Sequence, residues 1–207
     1  MRSLRSRKHL PAAAGLFLCL AISCGEEERD DPPPPPAEIC NCVPSLPVGQ
    51  QYRGQAKHVS IPAGQPQAIS VATMLEWEVG PEPAPDAPRS GRELQLFRIA
   101  RAFLQFAWIN PTDCDLHLEI SDTPEKDADR VIVETPVDPQ FCPSRQNLKQ
   151  QLANFGVPLS TDSGELQQPR LVEVVGLAFQ DGSHDRGTQS VNTVWELHPA
   201  TVTLLPQ

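Results

Sequence analysis

Leu94, Leu96, Arg98, Ala100, Ala102, Leu104, Phe106 and Trp108 occupy alternate positions in one continuous stretch. That is the period of a β-strand, whose successive side chains point to opposite faces. A run this long predicts one long, curving strand carrying a bulge. Asn110-Pro111-Thr112-Asp113 is a turn, after which Leu116, Leu118 and Ile120 begin a second strand. A second turn, Asp122 to Asp127, leads into Arg130-Val131-Ile132-Val133-Glu134, so 94–134 reads as a three-stranded meander.

A helix is predicted next. Pro143 suits its first turn, Leu148, Leu152 and Phe155 recur at helical spacing, and Gly156 closes it. Two more apolar runs follow, Leu171 to Phe179 and Val194 to Leu205, separated by the polar loop 180–192. Three strands, a helix and two strands is the element order of the OB-fold, a five-stranded barrel. Closure also removes exposed strand edges. The expected fold is therefore mainly β, an OB-like barrel over 93–207, with a β-sandwich as the alternative. Upstream, 56–92 forms an N-terminal extension and proline-rich loop. In it Ala68 to Val79 fits a strand or a helical turn, and Gly80 to Arg92 is loop.

The first residues specify an address. Arg2, Arg5, Arg7, Lys8 and His9 precede the apolar run Leu10 to Ile22, which is too short to span a bilayer comfortably and has the proportions of a secretory signal. Leu20-Ala21-Ile22-Ser23-Cys24 resembles the lipobox of bacterial lipoproteins, although Ala21 stands where leucine is usual. The resemblance implies a signal peptide over 1–23 and lipidation of Cys24. Residues 24–55 then read as a tether. The acidic residues Glu26 to Glu28, Asp30 and Asp31 remain solvated, and Pro32 to Pro36 favour extended polyproline II. The expected location is the bacterial cell envelope, lipid-anchored. Gly25 resembles the outer-membrane sorting pattern, facing the periplasm or the cell exterior.

Charge excludes one class of partner. The chain carries net charge −9, and losing the four Lys and Arg of the signal leaves 13 basic residues against 26 acidic. Such a surface repels phosphate backbones, so no nucleic-acid partner is expected. The expected partners are the membrane, through the lipid, and an extracytoplasmic ligand or protein.

Four cysteines remain beyond Cys19 and Cys24: Cys40, Cys42, Cys114 and Cys142. An even number in an oxidising compartment allows two disulfides and three connectivities. Cys114–Cys142 is the preferred bridge, because each lies at the edge of a predicted element. Cys40-Asn41-Cys42 is left to bridge in a strained ring, pair with other chains or bind metal.

Asp113-Cys114-Asp115-Leu116-His117-Leu118-Glu119, Val131-Ile132-Val133-Glu134-Thr135-Pro136 with Cys142, Val172 to Phe179, and Trp195-Glu196-Leu197-His198-Pro199 resemble an uncharacterised family of secreted bacterial domains. Its members carry a D-x-D-x-H-L strand and an E-L-H-P strand. The resemblance covers roughly 93–205 and implies no established activity.

Asp115, His117 and Glu119 share one strand face, and Glu196 lies on the side of His198. Asp115, His117, Glu196 and His198 are the candidate ligand or metal residues. Imidazole nitrogens and carboxylate oxygens are ordinary ligands of a divalent metal, which activates water for hydrolysis. The plainer reading is cross-strand hydrogen bonding that fixes barrel closure. His184, in Asp181-Gly182-Ser183-His184-Asp185-Arg186, is either a solvated loop residue or a ligand contact.

Asp122-Thr123-Pro124-Glu125 looks like the calcium-proximal tetrapeptide of staphylococcal-type nucleases. However, His117 stands where those enzymes carry an arginine, and the segment falls in a hairpin turn. No Gly-x-Ser-x-Gly, P-loop or dinucleotide glycine pattern occurs. No catalytic residue and no cofactor are assigned. The expected role is a lipid-anchored, non-catalytic binding module. The alternatives are a divalent-metal-dependent hydrolase and a structural subunit of an envelope assembly crosslinked through Cys40 and Cys42.

Overall fold

The computed structural model describes residues 39–162, 164–182 and 190–206. The signal segment, Cys24, Pro32 to Pro36 and His184 lie outside the described residues. A single helical turn α1 (Gly54–Lys57) is followed by β1 (Gln67–Ile69), α2 (Val71–Leu75) and β2 (Leu96–Ile109). Then come β3 (Leu116–Ser121), β4 (Arg130–Thr135), α3 (Cys142–Ala153), β5 (Glu165–Gln180) and β6 (Val191–Leu204).

β2, β3 and β4 form an antiparallel meander, β4 pairs in parallel with β6, and β6 pairs antiparallel with β5. β5 returns to pair antiparallel with β2 and closes a five-stranded barrel, while β1 adds a parallel strand on β2. The order β2-β3-β4-β6-β5, with α3 between the third and fourth barrel strands, is the OB-fold. The ambiguous segment 68–79 resolves into the end of β1 followed by α2. Ser70 caps α2 by accepting from Thr73 N, and Asp122 accepts from Val71 N and Ala72 N. Thus the aspartate of the nuclease-like tetrapeptide holds a helix start, where unpaired N–H groups need acceptors.

The long first strand does not keep one parity. Register shifts fall between Ile99 and Ala102 and between Leu104 and Phe106. Phe97, Ile99, Ala102, Leu104, Ala107 and Ile109 are therefore the buried core members, while Leu94 is 64% exposed. Each bulge inserts a residue and moves the downstream side chains to the other face. Consequently Phe106 and Trp108 share their face with His117 and lie against its ring. Gly176 permits close approach of β5 and β6, since a Cβ there would lie 2.6 Å from that of Ala200.

The core combines these β2 residues with Leu116, Leu118, Ile120, Val131, Val133, Val172, Val174, Leu197 and Val202. α3 contributes Leu148 and Leu152. Phe155 lies beyond the helix and is exposed, so it is no part of the predicted apolar stripe. Val157 N–H donates to Leu152 O across Gly156 (φ 72°), which ends the helix as expected.

The disulfides correct the expected pairing. Cys114 and Cys142 are both bridged, but not to each other: Cys40 pairs with Cys142 and Cys42 with Cys114. Nor are Cys40 and Cys42 left for interchain links, a C-x-C ring or metal. The two bridges tie the chain before the barrel to the β2–β3 turn and to the start of α3. Arg145 meets the same place. Its guanidinium is fully buried and donates to the carbonyls of Ile39, Thr135 and Cys114 at 2.6–2.8 Å.

Candidate functional site

Leu116, Leu118 and Ile120 turn into the core, so Asp115, His117, Glu119 and Ser121 must point to the opposite face of β3. Registry then assembles the site. His117 lies opposite Glu134 on β4, and Ile132 and Val133 lie opposite Glu196 and Leu197 on β6. Three adjacent strands therefore place Asp115, His117, Glu119, Glu134, Glu196 and His198 together. All four candidates predicted from sequence, Asp115, His117, Glu196 and His198, belong to this one cluster.

Its core is an alternation of acids and imidazoles. Glu119 Oε1 lies 3.6 Å from His117 Nε2, and His117 Nδ1 lies 3.0 Å from Glu134 Oε1. Glu134 Oε2 lies 2.8 Å from His198 Nδ1, which is also 3.6 Å from Glu196 Oε2. His198 Nε2 lies 3.2 Å from Asp115 Oδ2. Asp115 Oδ1 accepts from Val137 N, and Asp113 Oδ1 accepts from Asp115 N. Arg130 reaches Glu119 and Glu165 at 3.1 Å.

The site is closed. Asp115, Glu119 and His198 are 0% exposed, and the other three members at most 6%. Phe106 and Trp108 set their rings edge-on to His117, and Phe179 lies beside His198. Over Phe179 sits the chain that precedes the barrel. Arg53, Lys57 and Arg89 all place their cationic groups within 5.4 Å of its ring centre. Arg89 donates to the carbonyls of Ala56, Glu93, Ala178 and His198. Lys57 pairs with Asp181 at 3.7 Å, and His58 Nδ1 lies 2.7 Å from Asp138.

Arg53 is the principal clasp of this cover. It takes a left-handed conformation (φ 49°) ahead of α1, and all five guanidinium N–H groups are used. Two go to the Glu93 carboxylate at 2.7 and 2.8 Å, and the rest to the carbonyls of Ala87, Pro88 and Gln180. Glu93 in turn accepts from the N–H groups of Gln180 and Ser90.

Burial and charge compete at each titratable member. At His117 burial opposes protonation, but the Glu119 and Glu134 carboxylates prevail and raise the ring to about 10. His198 is raised well above the ordinary range in the same way, with Asp115, Glu134 and Glu196 overcoming its burial. Burial would raise Glu134, yet His117, His198 and Lys57 hold it well below the usual carboxylate range. Asp113, pushed up to about 7 by burial and then by Glu134 and Asp115, shows the crowding of negative charge.

Glu119 and Glu134 are the two members outside the sequence candidates; Glu119 shares the strand face of Asp115 and His117, whereas Glu134 lies on the next strand. Working out the hairpin register from the turn between β3 and β4 would have placed it opposite His117. Lys57, Arg53 and Arg89 carry no such signal, because no local pattern tells a loop cation to fold back over a strand.

Compared with protein-family models, curated proteins and solved structures, the chain matches none.

Proposed function

We propose that this chain is an exported, lipid-anchored envelope protein whose OB barrel serves as a non-catalytic binding module for an extracytoplasmic ligand or protein. The carrying observation is the closure of the polar cluster. The residues best suited to acid–base or hydrolytic chemistry are buried beneath 53–58 and 87–93, and a general base must reach the proton it removes. Burial of the whole cluster favours a role in holding the fold together.

The anchoring half of the reading rests on the cationic n-region, the short apolar run and the lipobox-like ending at Cys24. Among the described residues no helix is long and apolar enough to cross a membrane. The disulfides suit an oxidising compartment. For binding, the barrel's cover leaves an open cleft of about 450 Å³ lined by Val48, Gln51, Ala56, Val59, Pro88 and Leu94. That volume lies within the range of sites for small ligands or peptide side chains.

Labelled palmitate tests the anchor. The wild-type chain should take up label and fractionate with membranes, and Cys24→Ser should lose both. A wild-type chain that is unlabelled and released in soluble form would contradict the anchor. A photo-crosslinking residue at Leu94 tests the binding role in cells. A discrete adduct, lost when the cleft is narrowed by Ala56→Trp, is expected. Failure to form any adduct there or elsewhere on the cleft would count against a binding role.

A further inference from the structure

We propose that Asp115, Glu134 and His198 form a structural divalent-cation site at the seam of β3, β4 and β6. One donor atom from each lies within 4.8 Å of the donors of the other two, and all three residues are buried. Donors around a four-coordinate zinc ion, each about 2.1 Å from the metal, lie roughly 3.4 Å from one another. Asp115 Oδ2 stands 3.2 Å from His198 Nε2, close to that spacing, whereas Glu134 Oε2 lies 2.8 Å from Nδ1 and has to swing toward Nε2 to join it.

A second observation is independent of the clustering. His198 is fully buried, yet neither of its ring nitrogens makes an aligned hydrogen bond, and the same holds for Asp115 Oδ2 and Glu134 Oε2. Groups this deeply buried normally satisfy one another by aligned hydrogen bonds. Here the donors converge without aligning, as ligands do around an ion. His198 also presents Nδ1 to Glu134 and Glu196 and Nε2 to Asp115. An ion on Nε2 leaves Nδ1 facing Glu196, a carboxylate outside the ligand set that can orient the ring.

Apart from the Arg53–Glu93 pair, six buried carboxylates (Asp113, Asp115, Glu119, Glu134, Asp181 and Glu196) surround the seam, faced by Lys57, Arg89, Arg130 and Arg145. Imidazole with carboxylates suits zinc and other first-row divalent metals. All three ligands are buried, which suits a structural rather than a catalytic site.

The test uses the full chain, extracted in mild detergent without chelator or affinity metal. Elemental analysis should find about one equivalent of a divalent transition metal. Chelation should lower the melting temperature, and zinc chloride should restore it. Asp115→Asn and His198→Asn should reduce the metal content at least tenfold, whereas His58→Asn should retain it. Should the substituted chains fail to fold, the wild-type chain reloaded with cobalt decides: d–d absorption bands of a four-coordinate site are expected. A chain with no metal, no thermal response to zinc and no cobalt bands overturns the proposal. So does metal that persists in a folded His198→Asn chain.

Discussion

His198 Nδ1 and Glu134 Oε2 lie 2.8 Å apart on β6 and β4, the one parallel pair inside the barrel. Parallel pairing is slightly less stable per residue than antiparallel pairing. Here the seam is reinforced by a buried charge contact, and Glu134 spends its other oxygen on His117 of β3. One side chain thus links three strands.

Removing Glu134 should therefore cost more than any other single change on this face. Breaking a buried pair from one side typically costs about 3–5 kcal/mol, because the remaining charges lose their partner. Glu134→Ala is expected to destabilise by that amount, read from the midpoint of denaturant unfolding. A loss below about 1 kcal/mol would mean that the contact contributes little.

Arg53 should control the cover. Its five donors are matched to one carboxylate and three carbonyls, a fork that lysine cannot reproduce. Arg53→Lys is expected to leave the barrel folded while raising amide hydrogen exchange and protease cleavage over 46–60. Unchanged protection of that segment would assign the cover to other contacts.

Acid should act on the same clasp. Burial alone would raise the Glu93 carboxyl, but Arg53 and the Gln180 and Ser90 amides hold it below its ordinary value. A carboxyl depressed on folding contributes stability fully above its unfolded pKa, about 4.3, and loses it as pH falls through the folded value. Stability measured by urea unfolding should show this acid-side loss in the wild type, and Glu93→Gln should flatten it. Matching slopes would contradict the assignment.

Peptide mapping under non-reducing conditions should yield Cys40–Cys142 and Cys42–Cys114. Their separations of 102 and 72 residues correspond to about 4–5 kcal/mol each in the loop-entropy model, an upper figure for nested loops. Cys40→Ser with Cys142→Ser should lower the melting temperature by several degrees. Recovery of a Cys114–Cys142 peptide would contradict the connectivity.

The barrel was legible because element order and turn chemistry are local: Asn110–Asp113, Asp122–Asp127 and Gly156 each mark a boundary. Strand parity puts Asp115 with His117 and Glu196 with His198, and the register of β3, β4 and β6 brings the two pairs together. The β2 parity failed because a bulge costs one residue and leaves no sequence mark, so Phe106 and Trp108 changed face. Disulfide pairing failed because spacing cannot choose among three connectivities. The closure of the site was hidden for a further reason. It depends on Arg53, Lys57 and Arg89 returning over Phe179, contacts far apart in sequence whose value appears only once the barrel exists.

Carbethoxylation of the native chain by diethyl pyrocarbonate, mapped by peptide mass spectrometry, asks directly whether the polar cluster is closed. His117 and His198 should stay unmodified in the folded protein and react once it is unfolded in urea. Rapid modification of His198 in the native state would show an open site and contradict a structural role for the cluster.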